Sequence, residues 1–146
     1  MSSAPERPRL HVVDLTAADG AAVFGFLVPR LHAQMDGQYG TPAYRTAAAL
    51  DAIVRRAEFA VRHHADNLAA DSFYDRGERL RCLHSLQDAW NTLMDAVFAW
   101  REEQGYDTAR WVHIDYLDAL DAARGEALEA QVQAEIDAQR PAPKKR

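Results

Sequence analysis

The sequence predicts an all-α fold, a single-domain antiparallel four-helix bundle spanning 1–146, with an extended N-terminal lead-in, an ordered core over about 10–138 and mobile tails at 1–8 and 140–146. Three observations carry that prediction. Four stretches bounded by glycine, proline or capping residues place apolar side chains at helical spacing. A single run, LHVVDL at 10–15, has strand character, and it has no partner strand. The connections are short, which sets consecutive helices side by side with their apolar stripes facing inward.

The ends are polar and punctuated by proline, MSSAPERP at the start and QRPAPKKR at the finish, where Pro141 and Pro143 block a helix. LHVVDL is read as an extended lead-in packed on the bundle. Thr16 followed by Asp19 resembles a capping box and opens a first helix to about Asp36, which Pro29 is expected to kink. The loop DGQYGTPAY leads to a second helix over about 42–70. Its residues Leu50, Val54, Ala57, Val61, His64 and Leu68 alternate spacings of four and three, the clearest seam in the chain. Ser72 and Asp75 mark the start of a third helix running to about Gln104, with Gly105 as its stop. On a helical projection Leu80, Leu83, Leu86, Trp90, Leu93 and Val97 belong to an apolar arc of about half the circumference, too wide for one neighbour. Asp107 is expected to cap a fourth helix to about Ala138, whose Trp111, Ile114, Leu117 and Leu120 give way to Leu128, Val132 and Ile136. Gly125 inside it costs about 1 kcal/mol against alanine and suggests a bend or a change of partner.

Bulk properties narrow the functional classes. The 146 residues, 48% of them hydrophobic, suffice for one core and not for two independent domains. A net charge of -5 argues against a broad phosphate-binding surface, so nucleic acid is not the expected partner. One cysteine, Cys82, cannot form an intrachain disulfide and sits in an apolar pattern, as expected in a reducing compartment. Without a signal-like start or a membrane-length apolar run, the expected location is the cytoplasm, with no membrane partner.

Several groups of polar residues bear on possible chemistry. His63 and His64 are helix neighbours, so their side chains point about 100° apart and cannot share one ion by spacing alone. His64 falls in the seam and His63 beside Phe59 on a flanking surface. Glu-x-x-His, His-Glu-x-x-His, a glycine-rich phosphate loop and a Gly-x-Ser-x-Gly elbow are all absent, so neither a catalytic nor a metal site, nor a cofactor, is expected. The pairs His32 with Asp36 and His84 with Asp88 have ligand-compatible spacing but read as helix surface. Asp115, Asp118 and Asp121 recur every third residue and read as an acidic face with Asp121 turned inward, near Trp90 and Asn91, where an indole N-H could meet its carboxylate.

Charge is unevenly placed. Arg55, Arg56, Arg62, Arg76, Arg79 and Arg81 gather around the hairpin of helices two and three, whereas residues 107 to 137 carry eight acidic residues and two arginines. In an antiparallel register Glu126, Glu129 and Glu135 would pass beside that arginine-bearing end. An alternative is a phosphate or acidic-partner patch built from Arg62, Arg76, Arg79 and Arg81, weakly helped by the tail Lys144, Lys145 and Arg146. Trp100, Tyr106 and Trp111 surround the third turn, closing the bundle end or, with Phe59 and His63, forming an interaction surface.

The leading functional expectation is a non-enzymatic interaction or regulatory module, a homodimer or a protein-binding adaptor, using helix three's spare apolar arc or the aromatic end. The alternatives are a bundle that binds metal or a small ligand, possibly an enzyme, with His64 and Asp121 as inward polar groups, and a nucleic-acid or phosphate binder using the arginine hairpin.

Overall fold

The computed structural model describes residues 9–144 and is all-helical, with no strand among those residues. A 3-10 turn at Val12–Asp14 precedes α1 (Ala17–Met35), α2 (Pro42–Ala70), α3 (Arg76–Val97) and α4 (Ala119–Gln139), and a further 3-10 turn, Phe98–Trp100, extends α3. Of the expected tails at 1–8 and 140–146, residues 1–8 and 145–146 lie outside the described residues, and 140–144 follow α4 without regular structure.

Local chemistry accounts for each boundary. The Thr16 N-H donates to the Asp19 carboxylate at 2.8 Å, the reciprocal half of a capping box, and α1 then runs without interruption through Pro29. Thr41 Oγ1 accepts the Tyr44 N-H at 3.2 Å, and Pro42 takes the first helical position, where its missing N-H is harmless. Asp71 ends α2 in the left-handed region at φ 50°. Ser72 does not start α3, because its hydroxyl donates to the Ala70 carbonyl. Instead Asp75 accepts the Glu78 N-H at 2.8 Å, while Glu78 accepts the Tyr74 N-H at 2.6 Å.

Helices α1, α2 and α3 pack as the core, with α1 against α2 and α2 against α3. Early α1 meets late α2, where a Cβ on Gly20 would stand 2.9 Å from Val61 Cγ1, and late α1 meets the middle of α2, where His32 lies 3.5 Å from Asp51. Val23, Leu27, Leu31, Val54, Val61 and Leu86 are fully or almost fully buried.

Two expectations are corrected by the last third of the chain. The α-helical part of α3 ends at Val97 rather than Gln104, and Gly105, at φ 93°, closes a set of turns that follows. The fourth helix starts at Ala119, not after Asp107. Asp107 does cap: its Oδ1 accepts the N-H groups of Ala109 and Arg110, and its carbonyl accepts the Trp111 N-H at 2.9 Å. That single turn is not propagated. From Trp111 to Leu117 the chain is irregular and lies along α3, putting Trp111, Ile114 and Leu117 into the core.

Reach explains the choice, since an extended residue advances about 3.3 Å against 1.5 Å in a helix, so these seven residues run along about twice as much of α3 as they would when helical. Trp90, fully buried, donates its indole N-H to the Val112 carbonyl at 2.9 Å. Asn91 bonds both backbone groups of Ile114, accepting its N-H at 2.9 Å and donating to its carbonyl at 3.1 Å, and Gln87 adds a second donor to that carbonyl at 3.0 Å. On the far side the N-H groups of Val12 and Val13 donate to the carbonyls of Tyr116 and Leu117. The lead-in therefore packs on the core as expected, but through a 3-10 turn and two backbone hydrogen bonds to this segment.

The wide arc of α3 is thus covered within the chain, with Leu83, Leu86, Trp90, Leu93, Met94 and Val97 all buried. Of the arc, Leu80 stays 47% exposed and is the part left for an oligomer surface. Replacing Asn91 with alanine should lower the urea midpoint by an amount equivalent to about 1–3 kcal/mol with an unchanged slope, because the Ile114 N-H loses its partner. A change below about 0.5 kcal/mol would show that the anchor is dispensable.

Candidate interaction surface

The histidine pair resolves into two unrelated environments. His63 is exposed and stacks on Phe59 with ring centroids 6.0 Å apart and an interplanar angle of 5°, and its Nε2 lies 3.3 Å from the Asn67 amide. His64 is half-buried, edge-on to His63 at 5.2 Å, and its backbone carbonyl accepts the Cys82 thiol at 3.4 Å. Burial, and then the neighbouring His63, push the His64 pKa below its ordinary value. Burial pushes the Cys82 thiol up, away from the thiolate that reactivity requires.

Asp121, the other candidate inward group, does not face Trp90 or Asn91. Asp118 accepts the Asp121 N-H at 2.8 Å while Asp121 accepts the Leu117 N-H at 2.9 Å, so both carboxylates are spent on starting α4. Asp115 is exposed. The His32 ring approaches Asp51 and Arg55 rather than Asp36, and His113 meets Asp95 at 2.6 Å. Among the described residues no three His, Cys, Asp or Glu side chains converge in a way that could hold a metal ion.

The aromatic end is closed. Trp111 is buried, with ring centroids 5.0 Å from Phe26 and 5.1 Å from Tyr106, both edge-on. The Arg30 guanidinium covers Phe26 at 3.6 Å, the Tyr106 hydroxyl donates to the Trp111 carbonyl, and Trp100 is half-buried. Trp100, Tyr106 and Trp111 therefore act as packing, and Phe59 with His63 lies on α2, apart from them.

The arginines divide in two. Arg62 pairs with Glu58 at 3.4 Å and Arg55 with Asp51 at 2.8 Å, each one turn away on α2. Arg81 is exposed and makes no ion pair among the described residues. Arg76 and Arg79 instead border an open cleft with Leu80 and Leu83 on the α3 side and Leu117, Leu120 and Arg124 on the other. The acidic residues expected beside the arginine end lie elsewhere: Glu126 pairs with Arg9 at 2.6 Å, and Glu129 accepts the Tyr116 hydroxyl at 3.2 Å.

These last contacts define how α4 is held. The Tyr116 ring occupies the space where a Cβ on Gly125 would stand, so this glycine permits close approach rather than marking a bend. Past Glu129 no hydrogen bond or ion pair joins α4 to the rest of the described chain, and Ala122 is its one buried residue. Leu120, Leu128, Val132 and Ile136 are 60%, 62%, 46% and 50% exposed, an apolar row on an i, i+4 ridge open to solvent. The sequence groups Leu120 with Trp111, Ile114 and Leu117 and reads Leu128, Val132 and Ile136 as a following stripe of a helix packed in the bundle. The available signal was its straight spacing of four, unlike the alternating fours and threes of α2.

No protein-family model, curated protein or solved structure matches the chain.

The His64 environment gives a testable pH dependence. Its native pKa is depressed below the ordinary 6.5, so the unfolded chain takes up the proton first. Its contribution to stability is present above that value and is lost as pH falls below it. Carbon-13 and proton NMR should therefore show His64 titrating below 6.5, and His64→Gln should flatten the acid side of the stability curve. A His64 midpoint at or above 6.5 would contradict the burial argument.

Proposed function

We propose that this chain is a non-enzymatic protein-interaction module whose docking element is α4. The carrying observation is a 21-residue helix with a single buried residue and four large apolar side chains turned to water. An isolated helix of about ten residues is marginal in water and depends on packing of its apolar face, so the distal half of α4 gains most from a partner. Full burial of a leucine, valine or isoleucine side chain is worth about 1.5–3 kcal/mol, enough for three or four of them to support specific binding.

Other readings have less behind them. His64 and Asp121 serve different elements, which argues against a shared ligand, and no observation favours metal or small-molecule chemistry. Two arginines of the hairpin patch, Arg62 and Arg79, face carboxylates at 3.4 Å and 4.0 Å, and the net charge of -5 opposes a nucleic-acid duplex. No described helix is long and apolar enough to cross a membrane. A reducing setting such as the cytoplasm suits the buried Cys82 thiol.

A photoreactive amino acid placed at 132 in expressing cells should form protein adducts that vanish when Leu128→Glu is added. The same probe at 130, an exposed position on the face of α4 opposite the row, should form few or none. Equal labelling from both positions, or none from either, would overturn the docking assignment.

A further inference from the structure

We infer that the occupant of the α4 row is α4 of a second copy of this chain, running in the opposite direction about a two-fold axis at Leu128. The inference rests on the docking reading above and commits it to one partner.

The row is self-complementary. Reversing α4 about Leu128 sets Leu120 opposite Ile136 of the other copy, Arg124 opposite Val132, and Leu128 opposite itself, so every apolar position except Val132 meets another apolar one. Val132 meets the aliphatic stem of Arg124, whose guanidinium then extends past it. Ridges spaced at i, i+4 pack into each other's grooves at about -50°, the commonest class of helix crossing. The isologous arrangement closes on itself, so one row of contacts yields a dimer and not a filament.

Charge points the same way. The proximal part of the row is flanked by Arg124, with Arg76 across the adjoining cleft and Arg79 beside it facing Asp71 at 4.0 Å. The two carboxylates in that cleft, Asp118 and Asp121, are already engaged by backbone N-H groups. The distal part carries Glu135 and Asp137, whose contacts among the described residues are the amides of Gln131 and Gln133. With Leu128 on the axis, Glu135 of each copy lies across from Asp121 of the other, whose carboxylate is already taken by the Leu117 N-H, and about one turn from Arg124, twice by symmetry, whereas a parallel pairing would set Glu135 against Glu135. Leu80, 47% exposed beside Leu120, extends the apolar floor on which Ile136 would land. Covering the four row residues and Leu80 in both copies is a small contact beside the ~1,200 Å² from which specific interfaces start, so the dimer should be weak and dissociate on dilution.

Sedimentation equilibrium of the full chain tests this. The wild type should be a dimer at high concentration that dissociates on dilution. Leu128→Glu and Leu128→Lys should each weaken it by about 100-fold through like charge at the axis, with core melting unchanged. Mixing the two variants should restore association, because only a self-paired position 128 brings glutamate against lysine. Arg124→Glu and Glu135→Arg should each weaken the dimer, and the double variant should recover it, which reversed pairing alone allows.

A wild-type chain that stays monomeric at all concentrations overturns the self-pairing, as does a dimer indifferent to Leu128→Glu or a glutamate–lysine mixture that fails to associate. The fate of the underlying reading is then decided by the photoreactive probe at 132. Adducts with a different protein leave α4 a docking helix for another partner, and no adduct removes both claims.

Discussion

The arrangement of this molecule depends on how the apolar arc of α3 is covered. Its cover is not a helix but the irregular segment from Trp111 to Leu117, fastened by Trp90, Asn91 and Gln87. A non-helical segment laid against a core leaves backbone groups without partners unless side chains supply them. Asn91 is suited to that task because its amide both donates and accepts, matching the N-H and the carbonyl of one residue, Ile114. The lead-in completes the accounting from the other side through Val12 and Val13. Burial of Trp111, Ile114 and Leu117 supplies the apolar gain, and the three polar side chains make it affordable.

Using this segment as the fourth layer has a direct consequence for α4. The helix begins only after the core has been covered, so it inherits no apolar surface to pack on. What holds it is local: the Tyr116 ring against Gly125, the Tyr116 hydroxyl on Glu129, and the Arg9 pair with Glu126. Arg9 and Glu126 are both well exposed, so their pair is worth at most about 1 kcal/mol and orients the helix more than it stabilises it. The distal turns keep an apolar row without an intramolecular partner, and this joins the fold to the proposed role in association.

Much of the fold was legible because several signals agreed locally. The second helix was expected over 42–70 and is found there, since Thr41, Pro42 and an unbroken seam all point to the same element. The box of Thr16 and Asp19 likewise identified the start of α1. The fourth helix was misplaced because Asp107 has genuine capping chemistry and Trp111, Ile114, Leu117 and Leu120 recur every third residue. Spacing of three fits a helical face, and what overrides it here is tertiary: the side chains of α3 that bind the backbone of Ile114. Gly125 misled for a related reason, since a propensity scale records its helical penalty and is blind to the tyrosine ring it admits.

The candidate site was legible in part. Leu128, Val132 and Ile136 were recognised as an apolar row, but which surface covers a row is a question of three-dimensional supply. The bundle interior had already been filled by residues 111–117. Whether Trp100, Tyr106 and Trp111 form core or surface depends on Phe26 and Arg30, which cap the cluster from a distant part of the sequence. The charge free at the arginine hairpin depends on side-chain pairing, and Arg62 and Arg79 face carboxylates on or next to their own helices.

The most direct measurement is residue-resolved amide hydrogen exchange on the chain at a concentration low enough for a single copy. The Ile114 amide, held by Asn91 inside the core, should exchange about as slowly as the most protected amides of α3, while amides beyond residue 130 exchange close to the rate of a free chain. A distal α4 as protected as α3 in the single copy, or an Ile114 amide exchanging freely, would contradict the division into a covered core and an uncovered docking helix.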